Sequence, residues 1–154
     1  MSNSYLQKQK CYPFIIHAAP HWGNEPLFPT HTHGLTEIGM PEFIMDPLAF
    51  GGPGNGARIN YSFDYFMNPK NNNELQEVLN DKVIKLQAAK LSSNLKGESY
   101  TYCFREVPAT FEAVNQAYVI PGPGIKPGMR FIQIWVDGDD YALTDEYYRG
   151  GVTW

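Results

Sequence analysis

Residues 30–42 read Thr-His-Thr-His-Gly-Leu-Thr-Glu-Ile-Gly-Met-Pro-Glu, and His17 and His21 lie just upstream, so all four histidines of the chain fall before Gly34. Imidazole does two kinds of chemistry. Its neutral ring nitrogen ligates transition metals, and its protonation changes near neutral pH. If residues 31–33 are extended, the His31 and His33 side chains leave one face of the strand about 7 Å apart at the backbone, close enough to share a cation. Glu37 and Glu42 follow as candidate oxygen ligands, which makes zinc, iron or manganese the ions to consider. The competing reading is that the histidines hydrogen-bond Thr30, Thr32 or backbone groups and fill a polar site, or that they line a pocket for an organic ligand.

His31-x-His33-x-x-x-Glu37 has the spacing of the first half of a cupin motif, in which two imidazoles and a carboxylate hold a metal and leave positions open. The second half, a further histidine after a Pro-x-Gly turn, is absent. Completion must come from His17 or His21 on a neighbouring strand, from Glu42, or across a dimer.

Other motifs fail on context. His17 and His21 have the spacing of a zinc-binding helix, but Pro20 interrupts it, and Ala18 stands where H-E-x-x-H requires its base. Gly52-x-Gly54-x-x-Ala57 satisfies a relaxed dinucleotide fingerprint, yet the residues after it alternate like a strand, so a plain loop is expected. Ser62, Ser92, Ser93 and Ser99 lack the G-x-S-x-G elbow of a hydrolase. Gln133 sits inside the apolar run Phe131-Ile-Gln-Ile-Trp-Val136, where its amide needs partners; it is a structural tie or a ligand-binding residue.

The elements that must position these side chains belong to a single domain, residues 1–154, long enough to bury a core without disulfides. The 43% hydrophobic fraction is that of a globular chain, and a net charge of −4 with no Lys/Arg run argues against nucleic acid or a polybasic membrane contact. Residues 1–10 lack the apolar segment of a signal peptide, so a cytoplasmic location is expected, with Cys11 and Cys103 as reduced thiols.

Apolar runs and turn residues predict an α+β fold: a mainly antiparallel sheet from segments near 13–17, 28–35, 41–46, 59–66, 99–106 and 131–136. A long amphipathic helix over about 73–91 should bury Leu75, Val78, Leu79, Val83, Leu86 and Ala89, with Asp81 and Lys85 paired on its outer side. A shorter helix is expected over about 110–118.

Three blocks carry a family resemblance. Gly34-Leu35-Thr36-Glu37, then Gly39-Met-Pro-Glu42-Phe-Ile, then Phe131-Ile-Gln133-Ile-Trp135-Val-Asp137-Gly138 resemble the bacterial domain of unknown function 4262 family. That family tends to read Tyr-Thr-x-Gly-Leu-Thr-Glu, Gly-x-Pro-Glu, a helix, and a late Gln-x-x-Trp-x-Asp before a Pro-Trp-rich tail. The resemblance covers residues 28–47, 74–91 and 131–151. His31 stands where the pattern often has Tyr and His33 where it has an aliphatic residue, residues 50–72 look like an insertion, and Tyr141-Ala-Leu replaces the Pro-Trp. It implies an α+β fold and no activity.

Two functions follow. The first, preferred for want of a complete catalytic constellation, is a binding or regulatory module acting through protein or small-ligand contacts. On that reading Ile59, Tyr61, Phe63 and Tyr65 line one face of an exposed strand and serve a homodimer or a protein partner. The second is a small metal- or histidine-dependent enzyme centred on His31, His33 and Glu37.

Overall fold

A computed structural model describes residues 11–18, 29–47, 49–118 and 124–138. Six strands form one sheet: β1 Ile15–His17, β2 Thr30–His33, β3 Glu42–Met45, β4 Ile84–Gln87, β5 Thr101–Val107 and β6 Phe131–Val136. Their spatial order is β1-β2-β3-β6-β5-β4, and every pairing is antiparallel except that of β3 with β6. The helices are α1 Gly51–Met67, α2 Asn72–Val78, α3 Ala88–Leu91 and α4 Glu112–Tyr118. The expected α+β class with a mainly antiparallel sheet is the one observed.

The central position of β6 follows from its sequence. Phe131, Ile132, Gln133 and Ile134 are all buried, as they must be in a strand flanked on both sides and covered on both faces. One face packs against α1 and α2, with Phe43, Met45, Ile59, Phe63, Phe66, Val78 and Phe104 in one core. The other lies under α4, where Ile44, Val107, Phe111, Val114, Ala117, Tyr118 and Phe131 form a smaller core.

Two expected elements are overturned. Residues 59–66, read as a strand, lie within the 17-residue helix α1. Aromatic residues there satisfy both periods at once: Ile59, Phe63 and Phe66 also recur at helical spacing, and all three are buried. Ser62 is buried and donates to the Arg58 carbonyl one turn back at 2.8 Å. Ile59, Phe63 and Tyr65 are inside the chain and Tyr61 is half-buried against the same core, so the four do not form the exposed strand face expected of them. The helix begins at Gly51, so the glycine-rich segment is its first turn rather than a loop. A Cβ on Gly54 would come within 2.7 Å of the Phe50 Cβ, and the Gly54 carbonyl accepts from the Arg58 guanidinium, so this glycine serves close packing.

The second correction concerns residues 73–91. The helix stops at Val78, the chain turns through Asp81 at φ 66°, and β4 then pairs with β5 before the short α3. The open edge of β5 supplies a ladder that a continuing helix would have left unpaired. Leu75, Val78 and Leu86 are buried as expected, Leu79 is half-buried, and Val83 and Ala89 face solvent. Lys85 pairs with Asp137 at 3.3 Å, not with Asp81.

Candidate metal centre

In the β1–β2 ladder His17 stands directly opposite His31, and Ile15 opposite His33. Alternation along β2 places His31 and His33 on one face, and the cross-strand register adds His17 to that face. The three rings pack edge to face, with centroids 4.7 to 5.4 Å apart. One ring nitrogen from each can be chosen so that all three lie within 4.8 Å of one another. His31 is buried, His33 half-buried and His17 exposed.

Hydrogen bonds set the direction of these nitrogens. Nδ1 of His31 lies 2.6 Å from the Pro29 carbonyl oxygen. A carbonyl only accepts, so Nδ1 carries the proton and Nε2 presents a lone pair. That Nε2 lies 3.1 Å from Nε2 of His33. In the free protein His33 donates to it. With the His33 proton moved to Nδ1, both Nε2 atoms have a free lone pair. Two nitrogens on a tetrahedral zinc, each roughly 2.0 to 2.1 Å from it, lie some 3.4 Å apart. The observed spacing is within a few tenths of an ångström of that value, and the exposed His17 ring has the freedom to turn into the third position.

Tyr118, the last residue of α4, walls this cluster from below. Its ring sits 4.9 Å from that of His31 and 5.3 Å from that of His33, and its buried hydroxyl donates to the Thr32 carbonyl at 2.9 Å. Glu42 anchors the turn that follows. Its carboxylate is buried and accepts from the Thr32 hydroxyl at 2.7 Å, from Leu35 N at 3.3 Å, and from Thr36 N and Thr36 Oγ1 at 2.8 and 2.6 Å. Thr32 Oγ1 in turn accepts from Phe43 N at 2.9 Å, taking the place of a ladder carbonyl where β2 parts from β3. Gly34 turns the chain there at φ +111°, a conformation that other residues rarely adopt.

The electrostatics favour neutral rings. Burial pushes His31 down to about 4; its bond to Pro29 works the other way, and the nearby His33 and His17 push further down. His33 is lowered as well, by burial and then by His17, against the opposing pull of Glu42 and Glu37. A ring held neutral at pH 7 is a ring able to ligate.

The structure gathers His17, His31 and His33. Glu37 is exposed on the 3-10 turn Thr36–Ile38 and lines a small cavity beside His33, outside the three-nitrogen cluster. Glu42 borders the same cavity, with its oxygens committed to the turn. Gln133 lies in the same lateral row of the sheet as His31, separated from it by Ile44, and its Oε1 accepts from Arg105 Nε at 2.7 Å. That bond ties β5 to β6. His21 lies outside the described residues. Sequence reasoning missed Tyr118 and the Pro29 carbonyl. No local signal marks a tyrosine 86 residues from its partner, whereas the proline two positions before His31 was open to inspection.

Comparison of the chain with protein-family models, with curated proteins and with solved structures finds no match.

Proposed function

We propose that the chain holds one divalent transition-metal ion, zinc foremost, on His17, His31 and His33, with a coordination position left open toward the cavity beside His33. One observation carries this reading: the 3.1 Å approach of the two Nε2 atoms, with the His31 tautomer already set by the Pro29 carbonyl. A backbone acceptor on the far nitrogen is the usual support of a metal-binding histidine. Three nitrogen ligands and an open fourth position are the pattern of catalytic zinc, whereas structural zinc closes all four. Bound there, the ion acts as a Lewis acid toward water or a small oxygen ligand. Tyr118 and Glu42 hold β2 and its turn in place. This favours the small metal-dependent enzyme over a module that binds through Ile59, Tyr61, Phe63 and Tyr65, because three of those four side chains are buried in the core.

The test is elemental analysis of tag-free protein purified without chelator and after zinc reconstitution. Stoichiometric metal is expected, lost in His31→Ala and His33→Ala variants that keep their circular dichroism. Metal-free protein that takes up no zinc on reconstitution overturns the reading.

A further inference from the structure

The cavity beside His33 has a volume of about 120 Å³, and His33, Thr36, Glu37, Glu42, Lys126 and Met129 are among its walls. That space is ample for a small organic molecule. Its polar walls are unequal. Glu42 is saturated by donors from Thr32, Leu35 and Thr36. Glu37 and the Lys126 ammonium have no hydrogen bond or ion pair among the described residues, and both are exposed.

Resting on the metal reading above, we infer that this cavity takes a small carboxylate monoanion, one oxygen on the ion's open position. The charges support it. Three neutral imidazoles leave a divalent ion with both its charges; Glu37 and Glu42 offset them, and Lys126 adds one of the opposite sign. The balance is a single positive charge around a recess that shares His33 with the metal cluster, and a monoanion neutralises it. A dianion would leave an excess negative charge beside two carboxylates, and a cation would meet the ion itself. The Thr36 hydroxyl already donates to Glu42, so its oxygen is left to accept, and Lys126 is the donor available for the second carboxylate oxygen.

The experiment is titration of the cobalt(II)-substituted protein with acetate at low ionic strength, read in the visible ligand-field bands of the ion. A saturable spectral change is expected. Acetate affinity should fall about tenfold in Lys126→Glu and rise by a smaller factor in Glu37→Gln, since the first changes the charge at the cavity wall by two units and the second by one. Cobalt bound with no acetate response, or any other order of the three affinities, overturns the anion pocket and leaves the metal centre standing. A protein that binds no cobalt overturns both.

Discussion

Tyr118 and Thr32 are joined by a hydrogen bond from the phenol to the main-chain carbonyl of the residue between the two strand histidines, 2.9 Å long and fully buried. The bond links the end of α4 to the middle of β2, so the face on which the imidazoles stand is held by an element far away in sequence. Tyr118→Phe should leave that carbonyl unsatisfied and cost about 1 to 2 kcal/mol. If the phenol also positions the ligands, zinc affinity should fall about tenfold or more, as for other outer partners of metal ligands. Urea denaturation of the metal-free protein and a zinc titration measure the two effects separately; an unchanged zinc affinity would limit Tyr118 to stability.

His17 is exposed and His31 buried, so the two should respond differently to alanine. His17→Ala should change the stability of the metal-free protein by no more than about 0.5 kcal/mol, the usual range for surface positions, while zinc binding weakens. His31→Ala should lower both. Equal stability losses in the two variants would contradict the burial difference across the β1–β2 pair.

The metal-free protein should lose stability in mild acid. His31 is depressed to about 4 by burial, against about 6.5 in an unfolded chain, so between those values the unfolded state binds the proton and the native state does not. Its contribution is complete above pH 6.5 and is lost as the pH falls toward 4, with a ceiling of roughly 3 kcal/mol. Urea midpoints at pH 7.5 and 5.0 should show the drop, and a His31→Gln variant should show a shallower one.

Glu42→Gln should cost about 2 to 3 kcal/mol, although the change is nearly isosteric. The carboxylate accepts from Leu35 N, Thr36 N and two threonine hydroxyls, and an amide opposes one of those donors with a donor of its own. Thermal unfolding measures the loss, and a neutral result would show that the Thr36 turn does not depend on the charge.

Leu86→Ala and Val83→Ala distinguish β4 from a continuing helix. Leu86 is buried and should cost about 2 to 5 kcal/mol, whereas Val83, 49% exposed, should stay within about 0.5 kcal/mol. A continuous amphipathic helix would make both costly, because both belong to its stripe.

The histidines of β2 were legible because strand alternation is a local property: residues two apart share a face whatever the strand pairs with. The same holds for β6, whose near-continuous apolar run, interrupted only by Gln133, suits a place between two strands, and for α4, bounded by Pro108 and the glycine-proline run beyond it. The sequence by itself thus determined the α+β class, the positions of β1, β2, β3, β5 and β6, and the candidacy of His31 and His33.

Tertiary structure decided the rest. Residues 59–66 fit periods of two and of 3.6 alike, and only the sheet face lying under α1 selects the helix, by burying Ile59, Phe63 and Phe66 together. The break after Val78 comes from the unpaired edge of β5, a demand made by a strand not yet reached along the chain. At the site, His17 opposite His31 is a matter of register between two strands, and register depends on which faces are buried, so the sequence could offer His17, His21, Glu37 and Glu42 with no means of ranking them. Glu42 illustrates the reason. Its type suggested a ligand, but two threonine hydroxyls and two backbone amides reach its oxygens first, and that competition exists only once the turn has closed around it.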